Sequence, residues 1–161
     1  ITIGIKETYG NLSNRMAYIG ADLVIETVKG LVNKNIKSIP QTKCKNLKIA
    51  PKIYRKDCRI DWNLSIDFIF NKIRGLSPYP AAWTLLYLDE YPLQFKIYRA
   101  DIIKQIHNKY IKEIIITKSS INIAVKNGYI LIIEGQIEGR RKMCAIDIIN
   151  GIKNKKKLYI E

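Results

Sequence analysis

Side chains that commonly build catalytic or metal sites are scarce in this chain of 161 residues, which has one histidine and three cysteines. His107 lies in a polar run that predicts a loop between strands, and we interpret it as solvated. Cys44, Cys58 and Cys144 have neither metal-site spacing nor a disulfide framework, which predicts reduced thiols. The sequence therefore predicts no metal site, and the absence of glycine-rich phosphate motifs argues against a nucleotide cofactor.

Long apolar runs are also absent. No stretch approaches the roughly 20 apolar residues that a membrane span requires. Residues 1–11 lack the basic start, apolar stretch and small-residue cleavage site of a secretory signal. We therefore expect a cytoplasmic protein without a membrane partner, and we expect it to be a monomer.

Acidic residues are missing from one long segment, because none occurs between Glu26 and Asp57. Basic residues accumulate there and contribute to a net charge of +14: Lys29, Lys34, Lys37, Lys43, Lys45, Lys48, Lys52, Arg55 and Lys56. Enrichment in the residues of AT-rich codons explains part of the lysine content, but it would not clear acids from one segment. The charge therefore favours a polyanionic partner. A protein-interaction module with codon-driven charge remains the alternative.

The first third of the chain contains a change of periodicity. Alternating Ile1, Ile3 and Ile5 predict the end of a strand. Apolar residues then recur in steps of three and four, which predicts one face of a helix: Leu12, Met16, Ile19, Leu23, Thr27 and Leu31. Residues 33–50 lack sustained periodicity and contain Pro40, which predicts a linker.

The remainder predicts one helix, a set of short strands and a closing helix. Ser65 caps a helix that Gly75 and Pro78 end, with an inner face of Ile66, Ile69, Phe70 and Ile73. Strands are predicted at Trp83–Leu88, Leu93–Ile97, Ile114–Ile116, Ile121–Val125 and Tyr129–Ile133, followed by a helix at Ala145–Ile152 and a basic tail from Lys153. Asn127-Gly128 predicts a type I′ turn. Short antiparallel strands favour a small closed barrel, since closure removes exposed edges. The fold class is thus α+β, mainly β.

Basic clusters are the clearest candidate sites. The predicted RNA-binding residues are Lys52, Arg55, Lys56 and Arg59 in one cluster, and Arg140, Arg141 and Lys142 in a second. A third cluster contains Lys153 and Lys155–Lys157. Such side chains position nucleic acid through its phosphates, and an exposed Tyr54 would stack on an unpaired base. Ordinary solvated surface is the alternative for each cluster.

Four further residues have structural interpretations. Trp62 is predicted to be a buried plug between linker and barrel, and Asp61 a cap or hydrogen-bond acceptor. Trp83 is predicted to lie in the core. Arg74, which ends a predicted helix, binds either an internal carbonyl or carboxylate or a phosphate, and both alternatives stay open.

Five short motifs follow one another between residues 50 and 83: Ala50-Pro51-Lys52, Arg59-Ile60-Asp61-Trp62, Ile73-Arg74-Gly75, Pro78-x-Pro80 and Trp83. In this order they resemble the start of the C-terminal domain of methionyl-tRNA formyltransferases. Residues 138–151 resemble that family's last loop and closing helix, and residues 3–31 resemble the helix that ends its catalytic domain. The resemblance implies the end of a Rossmann-like domain at residues 1–32, a basic linker at 33–58 and an OB-like barrel at 59–161.

The same resemblance implies a role in formyl transfer from 10-formyltetrahydrofolate to methionine on initiator Met-tRNA. The family's catalytic Asn, His and Asp match no position here, so no catalytic or cofactor-binding residue is expected in this chain. In the family, the linker positions that Lys52 and Arg55 match face the acceptor end of the tRNA, and the loop that Arg140 and Arg141 resemble faces its elbow. Related barrels of sugar-nucleotide formyltransferases or of formyltetrahydrofolate dehydrogenase remain alternatives.

Overall fold

A computed structural model describes residues 1–41, 47–152 and 157–161, which form three α-helices, one 3-10 turn and seven strands. The helices are α1 (Tyr9–Val32), α2 (Ile66–Leu76) and α3 (Ala145–Ile152), and the 3-10 turn is Arg55–Cys58. The strands are β1 (Ala82–Leu88), β2 (Tyr91–Lys104), β3 (Ile114–Ile116), β4 (Ile121–Val125), β5 (Gly128–Ile137), β6 (Met143–Cys144) and β7 (Leu158–Ile160). Among the described residues, no helix has both the length and the apolar character needed to cross a bilayer.

All strand pairs between these elements are antiparallel, in the order β3-β4-β5-β2-β1-β7, with β6 added to β5. The sheet curls until Ile114 of β3 and Ile160 of β7 line the same small interior void. The long strand β2 makes this curvature possible, because its residues 91–97 pair with β1 and its residues 95–104 pair with β5 through register shifts on either side of Arg99. The prediction of a small, mainly β, barrel-like fold is confirmed.

Helix α2 covers the barrel with the predicted apolar face. Its buried residues are Ile66, Ile69, Phe70 and Ile73, and the Ser65 hydroxyl accepts a 3.3 Å hydrogen bond from the Phe68 amide. The helix continues to Leu76, so Gly75 lies inside it rather than ending it. The partly buried Arg74 donates to the carbonyl oxygens of Gly4 at 3.4 Å and Glu7 at 3.1 Å. The internal-carbonyl interpretation of Arg74 is therefore the one that the structure bears out.

The N-terminal segment departs from prediction in two ways. Residues 1–5 form no strand, because no described segment pairs with their backbone. Helix α1 starts at Tyr9, after Thr8 accepts a hydrogen bond from the Asn11 amide, and none of its residues is buried. Apart from the partly buried Leu12, its predicted apolar face thus lies exposed within the described chain. The start of α1 is nevertheless held, because the Gly10 amide donates to the Ser77 carbonyl at 2.9 Å.

The β4–β5 hairpin uses a turn different from the predicted one. Its two-residue loop is Lys126-Asn127, since Val125 pairs with Gly128, and among these only Asn127 has a positive φ, 64°. A type I′ turn needs two, so that prediction is wrong. Gly128 is required for another reason: a Cβ there would lie 2.2 Å from the Ile103 carbonyl oxygen. Strand β7 was not predicted, although Leu158-Tyr159-Ile160 carries a short alternation.

Candidate nucleic-acid interface

One row of outward side chains crosses three strands of the barrel. Trp83 of β1 pairs with Lys96 of β2, which pairs with Gln136 of β5. Phe95 and Ile97, the neighbours of Lys96 in β2, are buried. Lys96 and the residues paired beside it therefore face outward. Adjacent strands are about 4.8 Å apart, which places the two ends of the row roughly 10 Å from each other. We call these three residues the outer row.

The first basic cluster lies at the Trp83 end of the outer row. The guanidinium carbons of Arg55 and Arg59 lie 5.6 Å and 5.8 Å from the Trp83 ring centroid. The Trp83 indole N–H donates to the Arg55 carbonyl oxygen at 2.9 Å, which fastens the 3-10 turn to β1. Trp83 is only partly buried, so its predicted core position is wrong. The pleat of β1 directs Thr84 inward instead. Trp83 therefore faces outward, where its ring contacts the two guanidinium groups.

Local hydrogen bonds shape the 3-10 turn that carries this cluster. The Asp57 carboxylate accepts from the Tyr54 amide at 2.9 Å, and Cys58 is buried beneath the turn. Burial raises the pKa of the Cys58 thiol. Tyr54 remains 55% exposed, and the Lys52 ammonium lies 5.5 Å from its ring centroid. The turn thus presents basic and aromatic groups while its apolar residue points inward.

The second basic cluster lies at the Gln136 end of the outer row. The Gln136 amide donates to the Arg140 carbonyl at 2.8 Å. The Arg140 guanidinium donates to the Gly151 carbonyl at 3.2 Å, near the end of α3. Lys142 pairs with Glu134 at 2.8 Å and lies 4.8 Å from the Tyr98 ring centroid. The loop that carries the second basic cluster is therefore anchored to the same outer face as the first basic cluster.

The candidate cations fall into two groups. Arg59 pairs with Glu161 at 3.1 Å, Lys142 pairs with Glu134, and Arg140 binds a carbonyl. Within residues 1–41, 47–152 and 157–161, the remaining candidates have no carboxylate at ion-pair distance: Lys52, Arg55, Lys56 and Arg141. Lys96 shares this property and was not predicted, although its place between Phe95 and Ile97 signals an outward side chain. Of the third cluster, Lys153, Lys155 and Lys156 lie outside the described residues.

Trp62 and Asp61 have the predicted structural roles. The Trp62 side chain is fully buried, and its indole N–H donates to the Thr84 hydroxyl at 3.0 Å. The exposed Asp61 carboxylate accepts from both the backbone and side-chain nitrogens of Asn63 at 3.0 Å. These hydrogen bonds hold the pKa of Asp61 below its ordinary value. Both residues thus stabilise the passage from linker to barrel.

His107 does not lie in solvent as predicted. Its ring is partly buried, with Nε2 at 2.9 Å from the carbonyl oxygens of both Val125 and Gly128. Nδ1 accepts from the Lys109 amide at 3.1 Å, so these partners assign the proton to Nε2. His107 fastens the β2–β3 loop to the β4–β5 hairpin. No group of three or more metal-ligating side chains converges within the part of the chain that the structure describes.

The barrel and the covering helix define a small, mainly β domain with an OB-like fold. Residues 52–153 match the family profile described as formyl transferase, C-terminal domain, and the chain belongs to this family. The predicted resemblance to methionyl-tRNA formyltransferases is also confirmed, because relatives with that name align with nearly the whole chain.

The methionyl-tRNA formyltransferase of Flavobacterium johnsoniae is 38% identical over 152 residues, which cover 94% of this chain and 48% of the relative. That of Phocaeicola vulgatus is 38% identical over 146 residues, covering 87% of this chain and 45% of the relative. That of Porphyromonas gingivalis strain W83 is 35% identical over 167 residues, covering all of this chain and 52% of the relative. The chain thus spans about half the length of these relatives.

Solved structures support the fold. A crystal structure of a HypX variant from Aquifex aeolicus superimposes with a TM-score of 0.68 and 14% identity, over 96% of this chain and 28% of HypX. A second HypX variant gives 0.62 and 16% identity, over 84% of this chain and 24% of HypX. At this identity the likeness concerns the fold alone.

Proposed function

We propose that this chain is the C-terminal part of a methionyl-tRNA formyltransferase and that it supplies tRNA binding rather than chemistry. The parent enzyme would transfer a formyl group from 10-formyltetrahydrofolate to the methionine of initiator Met-tRNA in the cytoplasm, acting as a monomer. Support comes from family membership and from relatives of 33–40% identity that carry this name. The sugar-nucleotide and dehydrogenase alternatives have weaker support, since the relatives described above are all named methionyl-tRNA formyltransferase.

The observation that carries the RNA-binding role is a set of basic side chains without acidic partners along one face. Lys52, Arg55 and Lys56 flank one end of the outer row, Lys96 lies within it, and Arg141 follows the other end. Cations that already pair with carboxylates gain less from a phosphate, because the existing contact must first be broken. Unpaired cations release counterions from the RNA on binding, which drives association.

The proposed function is divided among three parts of the chain. Residues 1–32 complete the catalytic domain of the parent enzyme, residues 33–58 form the linker that reaches the acceptor end of the tRNA, and residues 59–161 hold the tRNA elbow. The hydrogen bond from Gly10 to Ser77 and the contacts of Arg74 support a defined junction between the first and last of these parts. Phosphate contacts at such a junction would position the RNA without reading its sequence.

A charge-removal experiment tests RNA binding. The double variant Lys52→Ala/Arg55→Ala should bind initiator tRNA more weakly, and the slope of log affinity against log salt should fall by about 1.4–1.8, because each lost phosphate contact removes roughly 0.7–0.9. The change should cost the barrel less than about 1 kcal/mol, since it removes exposed cation–π contacts and no core packing. Fluorescence anisotropy across a salt series measures the slope.

The matched control is Lys118→Ala/Lys126→Ala, which removes the same charge from the turns before and after β4. These turns lie outside the outer row, so the control should retain most of the slope. A wild-type affinity that does not change with salt, or equal losses in the two double variants, would contradict the proposal and favour a protein-interaction module.

Formyl transfer itself should be absent from the isolated chain. Both ring nitrogens of His107 are engaged with backbone groups, and the neighbouring Glu113 carboxylate already pairs with Lys109 at 2.8 Å. An assay with Met-tRNA and 10-formyltetrahydrofolate should therefore give no product above background. Turnover by the purified chain would refute a purely RNA-binding role.

A further inference from the structure

An open groove of about 1110 Å³ lies between the start of α1, the linker and the outer face of the barrel. Three tyrosines, two cations and one carboxylate line it: Tyr9, Tyr54, Tyr79, Arg55, Lys96 and Glu138. Trp83 and Lys96 also belong to the outer row, so the groove opens directly onto the proposed RNA-binding face.

We propose that this groove binds one unpaired nucleotide of an RNA strand, with its base on the ring of Tyr79 and its phosphate beside Arg55 and Lys96. The inference rests on the proposed RNA-binding function and names the part of the RNA that this groove takes. It concerns an unpaired nucleotide because a paired base hides both of its faces in the stack of the duplex.

Tyr79 is the most accessible aromatic ring in the groove. It is 80% exposed, whereas Tyr54 and Tyr9 are 55% and 53% exposed. Lys52 already lies over the ring of Tyr54, which leaves that ring less available to a base. A base that stacks on Tyr79 therefore displaces no side-chain contact described for that ring.

The backbone holds Tyr79 firmly. Pro78 and Pro80 flank it, and each proline ring restricts its own φ. The loop is also pressed against α1: the Gly10 amide donates to Ser77, and a Cβ on Gly10 would lie 2.5 Å from Cδ of Pro78. Because the backbone is already ordered, stacking of a base on this ring requires ordering of the Tyr79 side chain alone.

The charges in the groove complement a single phosphodiester. Arg55 and Lys96 have no ion-pair partner among the described residues, so two positive charges face the groove. The one carboxylate, Glu138, already accepts a 2.9 Å hydrogen bond from the Gln94 amide. It would accept further hydrogen bonds from a base amino group or a ribose hydroxyl. Its charge, in turn, disfavours a second phosphate nearby.

The size of the groove also fits this occupant. Sites for compact organic ligands usually enclose roughly 300–1,000 Å³, and this groove is slightly larger than that range and stays open at the outer row. One nucleotide therefore fits inside, and the adjoining strand continues over Lys96 toward the basic loop at Arg141.

The test compares two RNA hairpins, one with a blunt end and one with a short single-stranded 3′ extension. The full chain should bind the extended hairpin more tightly. Tyr79→Ala should lose that preference, with affinity for the extended hairpin falling about fivefold or more and affinity for the blunt hairpin changing less than about twofold. Tyr79→Trp should restore the preference. Tyr91→Ala removes a 74% exposed tyrosine outside the groove and serves as the matched control.

Each alternative result has a distinct meaning. A preference that survives Tyr79→Ala, or equal losses for both hairpins, overturns the nucleotide site while the proposed RNA-binding function stands. If the wild-type chain binds neither hairpin, the RNA-binding function fails, and titration with AMP then decides the groove. Saturable AMP binding that Tyr79→Ala abolishes would show that the groove takes free nucleotides rather than a nucleotide of an RNA strand. The absence of AMP binding would overturn the nucleotide site altogether.

Discussion

Replacing Trp62 by alanine should lower the free energy of unfolding by about 3–5 kcal/mol. The side chain is completely buried and belongs to the main apolar core. Its removal leaves a cavity and also withdraws the indole N–H from the Thr84 hydroxyl, 3.0 Å away. Equilibrium denaturation in urea, followed by far-UV circular dichroism, measures the change.

Trp62→Phe is the graded control, because it keeps most of the buried ring and loses the hydrogen bond. That bond contributes about 1 kcal/mol, and the Thr84 hydroxyl keeps its 2.8 Å contact to the Glu161 carbonyl. Phenylalanine should therefore cost much less than alanine. If Trp62→Ala left the melting temperature unchanged and abolished RNA binding, Trp62 would be a stacking residue and the structural interpretation would be wrong.

Gly128→Ala should also destabilise strongly, by about 2–3 kcal/mol. The new Cβ would lie 2.2 Å from the Ile103 carbonyl oxygen and 2.9 Å from Cδ1 of Ile66. Strands β2 and β5 pair here, Ile103 with Tyr129 and Lys104 with Gly128, so the hairpin must shift away from β2 to admit the methyl group. The urea midpoint measures the loss.

Gly20→Ala is the matched control in a helix. No atom outside the helix backbone lies within 4 Å of a Cβ at that position, and Gly20 is interior to α1. Alanine should stabilise the helix locally by about 0.5–1 kcal/mol and raise the helical signal, without lowering the urea midpoint. A Gly128→Ala variant that unfolds at the wild-type midpoint would show that the hairpin lies farther from β2 than described.

Local patterns predicted much of the fold correctly. The face of α2 at Ile66, Ile69 and Ile73 follows from a 3.6-residue period, and β4 follows from alternation between Ile121 and Val125. Trp62 and Asp61 were also interpreted correctly. The two basic clusters could be found from charge alone. All of these signals lie within a few residues of one another in the chain.

Errors arose where a residue's surroundings come from distant segments. His107 was predicted to be solvated, but its acceptors belong to the β4–β5 hairpin, about twenty residues away. Trp83 was predicted to be core because it is large and apolar, but Thr84 takes the inward position. The alternation of a strand defines two faces, and only the packing of the other elements determines which one is buried.

By itself the sequence determined the family, the main elements and an excess of positive charge, because each is a property of residue identity or short-range periodicity. Only the tertiary structure decided that the two basic clusters flank one outer row, that Lys96 joins them, and that Arg59, Arg140 and Lys142 are already engaged. The physical reason is strand register. Hydrogen bonding between β1, β2 and β5 brings residues 83, 96 and 136 side by side, and no local pattern encodes that pairing.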